Sequence, residues 1–587
     1  MAMTKHNESW WKTATIYQIY PKSFCDSGSK GTGDIKGIIS KLDYLKHLGV
    51  DAIWLTPVYQ SPMVDNGYDI SDYYAINPQF GTMEDFDTLL AEAHQLGIRI
   101  IMDIVVNHTS TEHHWFQSAL GDKNSPYRDY YIWKDPVDGA EPNNWQSKFG
   151  GNAWELDDAT GQYYLHLFAK EQADLNWENP AVREEVKEVI SFWADKGVDG
   201  FRLDVINLIS KQQDFPSDDI GDGRRFYTDG PCVHEYLQEI SEAVFQKYGS
   251  VTVGEMSSTT LEHCQQYSSL DGKELSMVFN FHHLKVDYPN GEKWTKAPFD
   301  FIQLKQIFNH WQTGLNGKGW GALFWCNHDQ PRVVSRLGDD KQYRVESAKM
   351  LAASVHMMQG TPYVYQGEEI GMTNPGYTEI SQYRDVESTN MYDIMVNRDG
   401  VSHEEMMAIL AQKSRDNSRT PMQWNSQKHA GFTEGTPWLE VAQNYSEINA
   451  EAAVADLNSV FYFYKRLIEL RKQVPVITDG RYEDLLPEHQ RIFAYARQND
   501  KQTLLCINNY YAEEVECVLP ERFELSKAKK LAIQLSKLSE RSRIKPSSVT
   551  TLRNSYFIDR RINSGVITPR IDVRDEGFGV LPKAFFY

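Results

Sequence analysis

Residues 199–207, DGFRLDVIN, combine a short apolar run with an arginine and an aspartate two positions apart. Side chains two apart on a β-strand point to the same face, so Arg202 and Asp204 would lie together at the end of a strand. Three further apolar runs end in polar clusters: IIMDIVVNH at 100–108, SVTVGEM at 250–256 and LFWCNHDQPR at 323–332. Such runs are typical of parallel strands with functional side chains at their carboxyl ends.

The chain contains eight strand-like runs, and segments with helical spacing of apolar residues separate most of them. The strand-like runs are 14–20, 51–57, 98–106, 198–206, 250–255, 275–281, 321–327 and 361–366. The helical segments include 35–48, 83–96, 181–196, 233–248 and 343–358. Because eight alternating units close on themselves, they predict an α/β fold, a (β/α)8 TIM barrel. An open doubly wound sheet is disfavoured, since the chain lacks the glycine-rich phosphate loop of that fold.

Uneven spacing between the strands predicts additions to the barrel. We assign 1–108 and 174–482 to the barrel, with a long excursion at about 368–450 after the eighth strand. Residues 109–173, rich in Trp, Tyr, Asn and Gly, are predicted to form a subdomain inserted after strand 3. From 483 to 587 we predict a C-terminal antiparallel β domain, because short alternating runs begin there.

The last part of that β domain, 521–587, is atypical. It contains about 14 basic and about 7 acidic side chains, the reverse of the balance in the rest of the chain. Charge blocks of this kind are often solvated, so both a divergent β domain and a poorly packed tail remain open.

The composition disfavours several classes of protein. A formal net charge of −21 disfavours nucleic acid and anionic membranes as partners, since both are bound through clustered Lys and Arg. The six cysteines are scattered and form no CxxC pair, so we expect reduced thiols. The N-terminus lacks the apolar core of a signal peptide, and no apolar run of about 20 residues occurs. We therefore expect a cytoplasmic monomer without a membrane anchor, metal or cofactor.

Three carboxylates, Asp204, Glu255 and Asp329, stand at equivalent places just past apolar runs. Retaining glycoside hydrolysis uses one carboxylate as nucleophile and a second, about 5–5.5 Å away, as acid and base. A nearby arginine would keep Asp204 ionised, and burial would favour the protonated form of Glu255 that a general acid needs. Each acid alone fits an ordinary ion pair, turn or loop position, so only the combination indicates a glycosidase.

Two histidines, His108 and His328, also end apolar runs. A lone histidine is more often a hydrogen-bonded structural residue than a ligand, and no HExxH-like metal spacing occurs. We therefore interpret both as donors to sugar hydroxyls.

Four segments, in order, resemble the signature segments of the α-amylase family of glycoside hydrolases, family 13. They are Asp103-x-x-x-Asn107-His108, Gly200-Phe201-Arg202-Leu203-Asp204, Gly254-Glu255 and Asn327-His328-Asp329. The resemblance extends from about residue 10 to about residue 515, and it implies that Asp204 is the nucleophile, Glu255 the acid and base, and Asp329 a transition-state stabiliser. Positions that hold the non-reducing glucose in the oligoglucosidase branch are matched by Asp65, Tyr68, His108, Phe168, Arg202, His328 and Arg415.

Within that branch, three segments are most similar to members that hydrolyse trehalose 6-phosphate to glucose and glucose 6-phosphate: 221–231, 253–264 and 279–294. A phosphate needs local cations in so acidic a protein, and Lys is a common partner for it. Our first candidates are Lys285 and Lys293, with Lys22 and Arg225 behind them, although each fits a solvated loop charge equally well. The rivals are an oligo-1,6-glucosidase or sucrose isomerase acting on neutral sugars, and a non-catalytic barrel protein.

One segment departs from the family pattern. Many relatives carry an Asp-rich loop that binds calcium through oxygen ligands. The corresponding stretch, DSGSKGTGD at 26–34, retains only the outer acids, Asp26 and Asp34, and Lys30 stands where an acid is expected. We therefore expect no calcium there, with the ammonium group of Lys30 in place of the ion.

Overall fold

Eight parallel strands, β1 to β8 in chain order, form the centre of the molecule. The computed structural model describes residues 9–513, 515–520, 522–523, 529–533, 550–552 and 556–561. The strands are Ile16–Ile19, Ala52–Leu55, Arg99–Ile104, Gly200–Leu203, Val251–Glu255, Met277–Phe279, Ala322–Leu323 and Thr361–Tyr365. They pair in the order β6-β5-β4-β3-β2-β1-β8-β7, and a parallel bridge between Val278 and Gly321 joins β6 to β7. The predicted closed barrel is thus confirmed.

Helices surround the barrel. The longer ones are Met83–Gln95, Pro180–Asp195, Val233–Ile240, Phe301–Leu315, Arg344–His356, His403–Lys413 and Val460–Gln473. The shorter ones include Ile35–Ile39, Leu42–Leu48, His114–Ala119, Arg224–Tyr227, Leu261–Tyr267, Val333–Leu337, Val386–Tyr392, Asp416–Arg419, Ala450–Ala455 and Val476–Asp479. Among the described residues, no helix combines the length and apolar character needed to cross a membrane.

The helix Met83–Gln95 illustrates how the sequence specifies these elements. Thr82 and Asp85 form a capping box, in which each side chain accepts a hydrogen bond from the other residue's backbone N–H. The helix buries Phe86, Leu89, Leu90 and Ala93. That spacing is the apolar stripe of a helix that covers a core.

The insertion after β3 is tied at its base by a two-stranded ladder. His108–Ser110 pairs antiparallel with Gln172–Asp174. The chain between them forms a three-stranded sheet of Trp133–Lys134, Gln162–Leu165 and Trp154–Asp157. Because the ladder begins four residues after β3 ends, the insertion stands beside the carboxyl ends of the barrel strands.

An antiparallel sheet follows the barrel and confirms the predicted C-terminal β domain. Its strands, in spatial order, are Arg481–Asp484, Ile492–Gln498, Gln502–Asn509, Tyr556–Arg561 and Lys529–Ile533. A separate ladder pairs Val515–Cys517 with Thr550–Leu552. The question raised over 521–587 lies mostly outside the described residues.

Candidate active site

A cavity of about 270 Å³ lies at the carboxyl ends of the barrel strands. Most of the predicted site residues line it: Asp65, Tyr68, His108, Phe168, Asp204, Glu255, Lys285, Lys293, Asp329 and Arg415. Arg202 and His328 are buried and contact acids of this lining. Lys22 and Arg225 are absent from it.

Two of the acids meet at one arginine. Asp204 directly follows β4, and Glu255 is the last residue of β5. Nη1 of Arg202 lies 2.6 Å from Oδ1 of Asp204, and Nη2 contacts Oε2 of Glu255. Because one guanidinium group reaches both carboxylates, they are close neighbours, as retaining hydrolysis requires. Glu255 is thus in contact with a cation, so its surroundings are not the purely apolar ones that we expected.

Arg202 is held in turn by Asp103 on β3. Nη1 of Arg202 lies 2.8 Å from Oδ1 of Asp103, and the Tyr68 hydroxyl donates to Oδ2 over 3.0 Å. Burial raises the pKa of Asp103 to about 7, although Arg202 acts in the opposite direction. The arginine that contacts both candidate catalytic acids is therefore fixed from the neighbouring strand.

The backbone turns sharply immediately after Asp204. Val205 has φ 36° and ψ 40°, a left-handed conformation that is unfavourable for a β-branched side chain. Strain of this kind costs about 1–3 kcal/mol and concentrates at functional sites. The turn ends β4 and leaves both Asp204 and Val205 on the cavity wall.

Asp329 is surrounded by positive and hydrogen-bonding groups. Its Oδ1 lies 2.6 Å from Nη2 of Arg419 and 3.3 Å from Nη1 of Arg415. Burial acts to raise the pKa of Asp329, but His328, Arg415 and Arg419 together hold it well below its usual range. Asp329 is therefore a carboxylate, the form that stabilises a positively charged transition state. Sequence reasoning missed Arg419, although it stands in the same SRDNSR segment as Arg415.

The protonation of His328 follows from its neighbours. Burial lowers its pKa to about 3, so the ring is neutral. The side-chain amide of Gln18 lies 2.8 Å from Nδ1, and Nε2 lies 3.2 Å from Oδ2 of Asp329. With Gln18 donating to Nδ1, the ring proton is on Nε2 and faces Asp329. The ring also stacks on Tyr68, with 5.1 Å between ring centroids and 4° between planes.

Asp65, His108 and Phe168 form a further part of the cavity wall. Nη2 of Arg415 lies 3.3 Å from Oδ1 of Asp65. Burial nevertheless raises the pKa of Asp65 to about 7, against the effect of Arg415. The His108 ring packs on Phe168 at 5.1 Å and donates from Nε2 to the Tyr68 carbonyl over 3.1 Å. This wall offers acceptors, donors and an aromatic face, the groups that hold a sugar ring.

Three lysines, Lys148, Lys285 and Lys293, also line the cavity. Nζ of Lys293 is 2.7 Å from Glu387, so its charge is balanced. Neither Lys148 nor Lys285 forms an ion pair within the described part of the chain. Lys148 contacts Oγ of Ser257 at 3.2 Å. Burial and the nearby Arg224 lower the pKa of both lysines, that of Lys148 to about 7.

The two remaining phosphate candidates have other partners. Nζ of Lys22 lies 2.8 Å from Oδ1 of Asn66 and 4.0 Å from the ring centroid of Trp438. Arg225 pairs with Asp218 at 2.9 Å. Since neither lines the cavity, we replace them as candidates with Lys148, which lies in the irregular insertion where no motif or periodicity singled it out.

The loop at 26–34 also differs from expectation. Asp26 accepts hydrogen bonds from the backbone N–H groups of Gly28 and Gly31, each at 2.8 Å, and from the Thr433 hydroxyl at 2.6 Å. Asp34 caps the helix Ile35–Ile39 by accepting from Gly37. Lys30 is exposed and pairs with neither acid. The expected replacement of an ion by its ammonium group is therefore wrong, because neutral donors satisfy both acids.

Comparisons with known proteins show the family of the chain. The model of the alpha-amylase catalytic domain matches residues 18–480. A trehalose-6-phosphate hydrolase of Bacillus subtilis (strain 168) is 62% identical over 521 residues, 88% of this chain and 93% of the relative. An oligo-1,6-glucosidase of Halalkalibacterium halodurans is 53% identical over 524 residues, again 88% and 93%. The crystal structure of a Bacillus licheniformis trehalose-6-phosphate hydrolase matches with a TM-score of 0.89 and 59% identity, covering 94% of this chain and 99% of that one. The chain therefore belongs to the alpha-amylase family of glycoside hydrolases.

Proposed function

We propose that the protein hydrolyses trehalose 6-phosphate to glucose and glucose 6-phosphate with retention of configuration. The observation that carries this is the pair Lys148 and Lys285, two cations of the cavity that holds the three acids, neither of which has a carboxylate partner among the described residues. Lys148 is partly buried and Lys285 is exposed. A partly buried ammonium group such as that of Lys148 is costly unless an anion joins it, and a neutral disaccharide supplies none. The similar trehalose-6-phosphate hydrolases of Bacillus subtilis and Bacillus licheniformis support the same substrate.

The site residues then take defined roles. Asp204 attacks C1 of the unphosphorylated glucose while Glu255 protonates the bridging oxygen, so that glucose 6-phosphate leaves. Water then attacks C1 of the glucosyl ester on Asp204 and gives its proton to Glu255, which releases glucose with the α configuration. Asp329 stabilises the positive charge that develops at the ring.

Different residues of the site recognise the two halves of the substrate. Asp65, Arg415 and His328 bind hydroxyls of the unphosphorylated glucose. Lys148 and Lys285 bind the phosphate through charge-assisted hydrogen bonds. From the composition we further propose that the protein acts on this small-molecule substrate as a cytoplasmic monomer.

The test compares kcat/KM on trehalose 6-phosphate, trehalose, isomaltose and sucrose, with chromatographic identification of products. We expect at least about a hundredfold preference for the phosphorylated sugar, which one or two charge-assisted hydrogen bonds can supply. An equal or higher kcat/KM on isomaltose would favour an oligo-1,6-glucosidase instead, the activity named for the Halalkalibacterium relative.

Replacing one lysine tests the phosphate site itself. Lys285→Met should raise KM for trehalose 6-phosphate at least about tenfold, because a charge-assisted bond contributes roughly 1.5–3 kcal/mol, and leave kcat/KM for trehalose unchanged. Lys170→Met is the matched control, since Lys170 is an exposed lysine of the insertion. Equal losses on both sugars would argue against a phosphate contact at Lys285.

A further inference from the structure

The loop after β6 carries Lys285 but has little regular structure of its own. Between β6 and the helix Phe301–Leu315 it forms only two short 3-10 turns, His282–Leu284 and Pro289–Gly291. Lys285 directly follows the first turn. Ordering a loose loop on binding costs affinity, so an anion site on it needs support from elsewhere.

Asp287 provides that support through two buried cations. Arg336, from the helix after β7, holds its carboxylate with two parallel bonds, Nε to Oδ2 at 2.9 Å and Nη2 to Oδ1 at 2.8 Å. Lys413 adds bonds to Oδ2 at 2.7 Å and to the Asp287 carbonyl at 3.0 Å. The side chains of Arg336, Asp287 and Lys413 are only 4%, 6% and 1% exposed. Desolvating such a cluster is expensive, so it is better explained as a device that sets geometry than as a source of stability.

Arg336 also reaches the wall of the cavity. Its Nη1 donates to Oε1 of Gln330 over 2.8 Å, and its Nη2 donates to the Leu284 carbonyl. Gln330 lines the cavity directly after Asp329. One guanidinium group therefore joins the loop that carries Lys285 to the turn that carries Asp329.

We propose that Arg336 is a positioning residue for phosphate recognition, which sets the place of Lys285 relative to Asp329. This inference rests on the proposed function, because it concerns the charged end of the substrate. Arg336 does not line the cavity and acts through the loop. An arginine suits this role, since its planar fork donates to several acceptors at fixed angles and an ammonium group does not.

The test uses Arg336→Gln and Arg336→Lys with two substrates, trehalose 6-phosphate and the neutral 4-nitrophenyl α-glucoside. We expect Arg336→Gln to raise KM for trehalose 6-phosphate at least about tenfold with a smaller change in kcat. Its kcat/KM on the neutral glucoside should stay within about twofold of wild type. The KM of Arg336→Lys for trehalose 6-phosphate should lie between those of wild type and Arg336→Gln, because lysine keeps the charge and one bond to Asp287. Equal losses on both substrates, or an unchanged KM for the phosphorylated one, would overturn the proposal.

Two controls separate the possible failures. Arg466→Gln removes an arginine that pairs with Glu469, and the two side chains are 41% and 44% exposed. This variant should leave kcat and KM unchanged for both substrates. Thermal melting shows whether each variant folds. If Arg336→Gln does not fold, the proposal is tested by the KM of Arg336→Lys for trehalose 6-phosphate, which should be higher than that of wild type. A wild type without preference for trehalose 6-phosphate over trehalose defeats the proposed function. If the wild type prefers trehalose 6-phosphate and the Arg336 variants keep that preference, the proposed function stands and only the positioning role of Arg336 is contradicted.

Discussion

At the residue scale, Asp204 is placed for nucleophilic attack by the end of β4 and by its bond to Arg202. Asp204→Asn keeps the shape of the side chain but removes the charge that attacks C1, so we expect kcat to fall by about a thousandfold or more with little change in melting temperature. Initial rates on trehalose 6-phosphate and a thermal melt measure both effects. Asp214→Asn, at an exposed acid in the loop that follows, is the control. Activity within tenfold of wild type would exclude Asp204 as the nucleophile.

The pH dependence of substrate affinity should reveal Lys148. Its pKa of about 7 means that Lys148 is charged below pH 7 and progressively neutral above it. Phosphate has its second pKa near about 6 and remains a dianion at higher pH, so of these two partners only Lys148 changes its charge between pH 7 and 9. Asp65 and Asp103, whose pKa values are about 7, act on charged and neutral substrates alike. Binding favours the charged lysine, and KM for trehalose 6-phosphate should therefore rise with pH, by at most about tenfold per unit.

The comparison that isolates this effect is the variant Lys148→Met. We expect its KM to be high and flat from pH 7 to 9, because the titrating group is gone. The neutral 4-nitrophenyl α-glucoside should show no such rise with either protein. A wild-type KM for trehalose 6-phosphate that stays constant over this range would rule out the proposed contact.

The sequence predicted some of these residues and not others for a physical reason. Asp204, Glu255 and Asp329 each lie at or beyond the end of a buried strand, and a strand end is marked locally by the change from apolar to polar residues. Lys148 and Arg336 reach their places through contacts between distant segments, Ser257 for the first and Asp287 for the second. No local pattern encodes such contacts. For the same reason, the sequence could not show that the phosphate candidates Lys22 and Arg225 lie outside the cavity lining.

At the scale of elements, the base of the insertion depends on one buried ion pair. Nζ of Lys211 lies 3.0 Å from Asp174, the last residue of the returning strand, and both side chains are at most 1% exposed. Lys211 also donates to the Leu208 carbonyl over 2.8 Å. Lys211→Met would leave Asp174 as a buried charge without its cation, so we expect a loss of about 3–5 kcal/mol in the free energy of unfolding.

Urea denaturation measures this loss, and two further variants interpret it. The double variant Lys211→Met with Asp174→Asn should recover part of the stability, because no buried charge is left unpaired. Lys273→Met breaks an ion pair whose partners are 69% and 47% exposed, and it should shift the midpoint little. A similar midpoint for Lys211→Met and wild type would mean that the pair does not hold the insertion.

The barrel and its additions were predictable to different degrees. Helices such as Met83–Gln95 carry their own start signal and apolar stripe, and these are visible in the sequence. The insertion showed itself only as excess length and unusual composition. Its base, where His108–Ser110 meets Gln172–Asp174, pairs residues that are more than sixty positions apart.

At the scale of the whole molecule, Lys305 joins the barrel to the C-terminal sheet. It lies in the barrel helix Phe301–Leu315, and its Nζ donates to the carbonyls of Leu486 and His489 at 2.7 Å each and of Ile492 at 3.4 Å. The rings of Phe308 and Phe493 stack across the same boundary with centroids 5.8 Å apart. Contacts of this kind should make the barrel and the sheet unfold together.

Two probes in urea can test this coupling, because all fifteen tryptophans precede the C-terminal strands. Tryptophan fluorescence therefore follows the barrel, while hydrogen exchange of peptides covering 492–509 follows the sheet. In wild type the two midpoints should coincide. Lys305→Met leaves one buried and two partly buried carbonyls without this donor, at a cost of up to about 1–3 kcal/mol for each, and should lower both midpoints equally. If the peptides of the wild type instead exchanged at lower urea than the fluorescence midpoint, the sheet would be an independent unit and Lys305 would not couple it to the barrel.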